Sequence, residues 1–126
     1  MTIKRDRLLR CLTDAKHNEL VRRGYSVDVG VVPLETRVSG KHEIRQHEID
    51  FVVNKADERI YIQSAYAIPD HEKRAQETFS LRHVGDSFRK VVITGNLKEK
   101  PWRDENGIVF IGAMTFLLDP NCLETL

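Results

Sequence analysis

Two strand-like segments joined by a short polar connection restrict the folds open to this chain more than any other feature. The segments Glu48 to Val53 and Arg59 to Tyr66 are rich in β-branched and aromatic residues. The connection, Asn54 to Glu58, is polar and suits a hairpin turn. The sequence therefore predicts an antiparallel hairpin, whose strands must be covered by other elements to form a core.

This hairpin predicts which side chains are neighbours. If Val53 faces Ile60 across the turn, antiparallel registry places Asp50 opposite Gln63, because each step away from the turn adds one residue per strand. Alternation then divides the side chains between two faces. One face carries Asp50, Val52, Tyr61, Gln63 and Ala65, and the other carries Ile49, Phe51, Val53, Ile60 and Ile62. The second, apolar face is predicted to be core.

Periodicity and turn residues predict the remaining elements. In chain order they are a helix from Arg5 to Arg23, a strand from Tyr25 to Leu34 that Pro33 ends, an irregular polar loop from Glu35 to His47, the hairpin, a helix from Asp70 to His83, a strand from Lys90 to Thr94, a charged loop with Pro101 and Trp102, a strand from Ile108 to Ile111, and a helix from Ala113 to Leu118. This order is typical of an α/β fold with a small mixed sheet flanked by helices. A length of 126 residues favours a single domain, residues 1–126.

Charge and cysteine content exclude several classes of protein. Lys and Arg total 20 against 19 for Asp and Glu, so bulk charge does not attract a nucleic acid or a membrane, and any such contact must be local. Cys11 and Cys122 lack the spacing of metal ligands and suit a reducing compartment. Without a long apolar segment the chain is not expected to enter a membrane. We predict a cytoplasmic protein.

Two carboxylates occupy positions where apolar residues are expected. Glu19 shares the apolar face of the opening helix with Leu12 and Ala15, and Asp50 interrupts a hydrophobic strand. A buried carboxylate is costly unless it is paired, hydrogen-bonded or bound to a cation. These positions therefore indicate a polar site.

Four short motifs resemble a known domain. They are Asn18-Glu19-Leu20-Val21-Arg22-Arg23-Gly24-Tyr25, Glu48-Ile49-Asp50-Phe51-Val52, Tyr61-Ile62-Gln63-Ser64-Ala65-Tyr66 and Val91-Val92-Ile93-Thr94. In this order, from about Leu12 to Leu118, they resemble the C-terminal domain of a large bacterial and archaeal AAA+ ATPase family. The resemblance implies a restriction-endonuclease-like core of the PD-(D/E)XK type. No GxxxxGK[ST] loop is present, so the ATPase part is absent and this chain is not expected to bind ATP.

The resemblance also implies a site. In that nuclease superfamily a helical glutamate, a strand aspartate and an acid-x-lysine motif hold a divalent ion and activate water. Glu19 and Asp50 match the first two and are the candidate ligands for Mg²⁺ or Mn²⁺, with Gln63 as the third candidate catalytic residue. Gln63 replaces the second acid and Ala65 replaces the lysine. An amide is a weaker ligand than a carboxylate and alanine cannot stabilise developing charge, so the signature is incomplete.

Three functions remain open. The first is an accessory domain of an AAA+ ATPase-like protein, with a degenerate nuclease fold that binds nucleic acid or a protein partner. The alternative is a Mg²⁺- or Mn²⁺-dependent nuclease that cleaves phosphodiester bonds. The third is an oligomerisation element that pairs through an exposed sheet edge. An inherited, hydrogen-bonded polar cluster without function also accounts for Glu19, Asp50 and Gln63.

Other polar residues are weaker candidates. Glu48 is an alternative acid, and Lys73 or Arg74 an alternative cation, for the incomplete signature. Trp102 either stacks on a base or a partner or, as is commoner for a single loop tryptophan, packs within the chain. A solvated loop is the favoured interpretation of the basic residues between Glu35 and Glu48, and surface or loop positions are expected for the five histidines.

Overall fold

The computed structural model describes residues 14–68, 70–95, 100–119 and 121–124. Within them a six-stranded mixed sheet is flanked by helices, which confirms the predicted α/β class. The elements are helix α1 (residues 14–22), β1 (Ser26–Val38), β2 (Lys41–Lys55), β3 (Glu58–Ala65), α2 (His71–Arg82), β4 (Arg89–Thr94), β5 (Trp102–Arg103), β6 (Val109–Gly112) and α3 (Ala113–Leu118). Residues 5–13 of the predicted opening helix lie outside the described residues.

The strand order is β1-β2-β3-β4-β6-β5. Strands β1, β2 and β3 form an antiparallel meander, whereas β4 is parallel to β3 and to β6, and the short β5 is antiparallel to β6. Two parallel neighbours need a crossover between them, and α2 provides it between β3 and β4. In the described part of the chain, no helix is long and apolar enough to cross a bilayer.

Both faces of the central strands are buried. Helices α1 and α3 cover one face, where the core includes Leu20, Tyr25, Phe51, Val53, Ile60, Ile62, Val91, Ile93, Ile111, Phe116 and Cys122. Helix α2 covers the other face, where the core includes Ile49, Tyr61, Ala65, Leu81, Val92, Ile108 and Phe110. A sheet covered on both sides explains why the buried residues Val91–Ile93 of β4 are all apolar and do not alternate.

A β-bulge lies in β2. Asp28 and Gly30 are two residues apart on β1, but their partners Val52 and Ile49 are three apart on β2. The extra residue reverses the alternation on the N-terminal side of the bulge. The prediction that Ile49 shares a face with Phe51 is therefore wrong, since Ile49 packs in the core on the α2 side with Tyr61.

The predicted loop from Glu35 to His47 is also wrong. Strand β1 continues through Pro33 to Val38, and β2 pairs with it from Lys41 onward. The connection is tight, because Ser39 and Gly40 both have positive φ angles, as a two-residue hairpin turn requires. We call residues 30–49 the hairpin arm. Most of its described side chains are exposed, so its polar sequence lacks the alternation that would have revealed it.

The helix predicted after Pro69 is confirmed almost to its ends. The Asp70 side chain accepts a hydrogen bond from the Lys73 backbone N–H (2.8 Å), which caps α2. Glu72 lies in its first turn and Arg82 in its last, where each charge complements the helix dipole. These signals are local in sequence, which is why they predict the helix well.

Candidate functional site

Asp50 lies where the pairing of β2 with β3 stops. The ladder ends at Phe51 and Ile62, and side chains then continue the connection. The Asp50 backbone N–H donates to Gln63 Oε1 (3.0 Å), and the Ser64 backbone N–H donates to Asp50 Oδ2 (2.8 Å). Asp50 and Gln63 are thus neighbours, as the hairpin registry predicts, and their side chains join β2 to β3 beyond the end of the ladder.

A lysine from α1 completes this arrangement. The Lys16 side chain is only 2% exposed, and its Nζ donates to Ser64 Oγ (2.5 Å) beside Asp50. We call Lys16, Asp50, Gln63 and Ser64 the polar cluster. Sequence reasoning missed Lys16, although it lies four residues before the fully buried Leu20 and therefore on the same side of α1.

Burial determines the electrostatics of the polar cluster. Burial lowers the pKa of Lys16 to about 8, and the negative charge of Asp50 acts against this. Burial raises the pKa of Asp50, while the Ser64 N–H and the Lys16 charge act in the opposite direction. Each charge therefore offsets part of the desolvation penalty of the other.

Glu19 makes a different set of contacts. Its carboxylate pairs with Arg22 (2.6 Å) and Arg23 (2.8 Å). The hydrogen bond from Arg22 has the larger effect and that from Arg23 the next, and together they lower the pKa of Glu19 to about 2. The Arg23 guanidinium lies over the Phe116 ring (4.7 Å to the centroid) and donates to the carbonyls of Phe116 and Asp119. Glu19 thereby orients an arginine that joins α1 to α3, and its assignment as a metal ligand stays a prediction.

The polar cluster does not fit a divalent ion while Lys16 is charged. Gln63 Oε1 already accepts the Asp50 N–H, and the Lys16 ammonium would repel a second cation. In the residues that the structure describes, no group of three His, Cys, Asp or Glu side chains could hold a metal ion. Ala65 is buried in the core on the α2 side. The cluster thus has one carboxylate and a built-in cation.

Comparison with known proteins gives one informative relative. No family model matches the chain, and no solved structure matches it significantly. A protein of Haemophilus influenzae (strain ATCC 51907 / DSM 11121 / KW20 / Rd), described as uncharacterized, is 38% identical over 93 residues. The match covers 74% of this chain and 20% of that protein. The chain thus spans about a fifth of the length of the curated relative it matches.

The alternative residues from the sequence are engaged elsewhere. Lys73 pairs with Glu77 (2.9 Å) along α2, and Arg74 pairs with Glu105 (3.2 Å). Trp102 stacks on the Phe110 ring, with 4.2 Å between the centroids and 8° between the planes. This stack confirms the packing interpretation of the tryptophan.

The histidines are mostly exposed, as predicted. His47 is the half-buried exception: its ring centroid lies 4.8 Å from that of Phe79 on α2, and Phe79 in turn contacts His83 at 4.3 Å. His47 therefore holds the hairpin arm against α2. Packing of this kind could not be found from the sequence, because the predicted loop hid the strand that carries His47.

Proposed function

We propose that this chain is an accessory domain of a larger cytoplasmic protein, with a degenerate nuclease-like fold that binds nucleic acid without cleaving it. One observation carries the proposal: the Lys16 ammonium donates to Ser64 beside Asp50, so a cation is already built into the cluster. An ammonium balances the Asp50 charge but cannot activate water as a metal ion does. Such a site keeps the architecture of a nuclease and lacks its chemistry.

The order of elements supports the nuclease-like part of the proposal. Helix α1, the β1-β2-β3 meander, the α2 crossover and the parallel β4 follow one another in the order that the PD-(D/E)XK resemblance implies. The bulge also fits, because bulges are common beside functional sites, where they redirect a side chain. Here the redirected residue is Asp50.

The Haemophilus relative supports the accessory role. Its matched region is 20% of its length, so a segment like this one occurs inside a much longer chain. This agrees with a role as one domain of a larger protein.

Calorimetry with Mg²⁺ and Mn²⁺ tests the degenerate site. We expect no specific binding to the parent protein or to Asp50→Ala, because Lys16 supplies the cation. Binding to the parent that Asp50→Ala abolishes would contradict the proposal and indicate a working metal centre.

Retention of labelled DNA and RNA tests the binding role. At low salt, where phosphate contacts are strongest, we expect retention of a single strand or a duplex without cleavage. If the folded protein retains no nucleic acid at low salt, the proposal of nucleic-acid binding is wrong. Binding of a protein partner is then the remaining role for the accessory domain.

A second candidate function is a Mg²⁺- or Mn²⁺-dependent nuclease. The observation that favours it is the proximity of Lys16, here on α1, to Asp50, since the nuclease superfamily combines a lysine and an aspartate in its site. Burial lowers the pKa of Lys16 to about 8, and in its neutral form this lysine would no longer repel a metal ion beside Asp50. This candidate predicts cleavage with Mn²⁺ that both Asp50→Ala and Lys16→Met abolish and that Lys41→Gln, on the hairpin arm, leaves intact. Undiminished cleavage by Asp50→Ala would exclude it.

A further inference from the structure

A cavity lies at the opposite end of the parallel strands from the polar cluster. It has a volume of about 340 Å³ and lies between the α2–β4 connection (residues 86–88), the start of β4 and the β5–β6 turn. Arg89 pairs with Ile60, whereas Ile93 pairs with Ser64. Four residues of strand therefore separate the cavity from the polar cluster, a distance of about 13 Å.

The charge in this cavity is mainly positive. Arg89, Lys90 and Arg103 line it, with Asp86 as the acidic side chain. Asp86 is already engaged, because it accepts hydrogen bonds from the Tyr61 hydroxyl and the Phe88 N–H and pairs with Lys90 (3.8 Å). The acid and one cation therefore neutralise each other, and the two arginines remain.

Both arginines have N–H groups to offer. Arg89 uses Nη1 to donate to the Leu123 carbonyl, which leaves its other donors. Among the described residues, the side chains of Arg103 and of the neighbouring Ser87 have no hydrogen-bond or ion-pair partner within the chain. Guanidinium groups hold phosphate oxygens with two parallel hydrogen bonds, so these side chains suit a phosphate.

An aromatic ring stands beside these donors. Phe88 lines the cavity, and although the Arg59 guanidinium lies 5.9 Å from its ring centroid, the residue is still 42% exposed, which is unusual for a phenylalanine. Arginines beside an exposed aromatic ring form the combination that binds single-stranded nucleic acid, where the base stacks and the phosphate pairs. The cavity volume also falls within the range of small-ligand sites, roughly 300–1,000 Å³.

We infer that this cavity binds one nucleotide, with Arg103 and Arg89 on the phosphate and Phe88 against the base. The inference rests on the proposed function, for which it names the surface that holds the strand. A free mononucleotide and a nucleotide within a single strand present the same chemistry. The experiment therefore uses both.

The test measures the binding of AMP by NMR titration and of a fluorescein-labelled single strand by fluorescence anisotropy. Arg103→Gln is expected to weaken about tenfold the affinity for whichever probe the parent protein binds. The salt dependence of that affinity should fall by the equivalent of about one phosphate contact. Phe88→Ala is expected to weaken the affinity for the same probe. The matched control Lys41→Gln removes one positive charge from the hairpin arm and should leave affinity within about twofold. Thermal unfolding checks that each variant is folded.

The outcomes separate this inference from the proposed function. Binding of AMP that Arg103→Gln weakens, without strand binding, supports the cavity and contradicts nucleic-acid binding by the domain. Strand binding that Arg103→Gln leaves unchanged overturns the inference and leaves the proposed function standing. Failure of the folded parent to bind either probe overturns the inference as well.

Discussion

Lys16 and Asp50 carry opposite charges, with the lysine buried and the aspartate half-buried. Taking either charge out of water is costly, and their mutual attraction together with the Ser64 hydrogen bonds offsets part of that cost. Removing one partner leaves the other uncompensated. At this scale the two charges of the polar cluster stabilise each other. The pH dependence of stability tests Lys16, and substitutions test Asp50.

The pH dependence of stability tests Lys16. Its pKa of about 8 in the folded protein is below the ordinary 10.5, so between these pH values the unfolded chain binds the proton more tightly. The free energy of unfolding should therefore rise from pH 8 to pH 10.5, by up to about 3 kcal/mol from this group. Urea denaturation should show this rise in the parent and in Lys41→Met, and its loss in Lys16→Met. A rise of equal size in Lys16→Met would contradict the assignment.

Paired substitutions test Asp50. Asp50→Ala leaves the Ser64 N–H without its acceptor and Lys16 without its counter-charge, so a loss of about 3 kcal/mol is expected. Asp50→Asn keeps an acceptor oxygen and should lose less, about 1 kcal/mol. Urea denaturation of both variants measures the difference. Equal losses would mean that the hydrogen bond to Ser64 contributes nothing to stability.

At the scale of elements, the bulge in β2 depends on a glycine in the neighbouring strand. A Cβ atom at Gly30 would lie 2.6 Å from Val52 Cγ2 and 3.1 Å from Ile49 Cβ. Both contacts are too close for a well-packed interior. Gly30 therefore lets β1 approach β2 at the residue step where the bulge turns Asp50 toward Ser64.

Gly30→Ala tests this close approach. The added methyl group should lower the free energy of unfolding by about 1–3 kcal/mol. In a Val52→Ala background, which removes the nearest atom, the loss should be smaller, and a double-mutant cycle measures the coupling. Gly85→Ala is the control, because a Cβ there meets nothing within 4 Å. Additive losses in the cycle would show that the clash with Val52 is not the cause.

At the scale of the whole molecule, β1 is an edge strand of the sheet. Val29 and Val31 on this strand are 66% and 52% exposed, which would favour pairing with another chain. Two features oppose such pairing: the register shift beside Val29, and Pro33, which has no N–H to donate. This edge is thus poorly suited to the oligomerisation that the third sequence hypothesis requires.

Pro33→Val tests the protection of this edge. The substitution restores a backbone donor and adds a residue that favours strands, so association that increases with protein concentration is expected. Analytical ultracentrifugation of the parent and the variant at several concentrations measures it, and we expect a monomeric parent. Equal association of both proteins would show that Pro33 does not protect the edge.

Local patterns were enough to predict much of this protein. The cap at Asp70 and the end of α2, the bounds of α3, and the registry that makes Asp50 a neighbour of Gln63 all depend on residues close together in sequence. Such features are determined by turn chemistry and short-range pairing. The α/β class follows from them.

Only the tertiary structure decided the composition of the site. Lys16 and Ser64 are 48 residues apart in sequence but form a hydrogen bond. Arg23 pairs with Glu19 and donates to the Phe116 carbonyl on α3. The bulge that turns Asp50 depends on Gly30 in the neighbouring strand, which no local pattern records. The packing of helices on the sheet determines which cation lies near which carboxylate, because a charge needs a partner where it is buried.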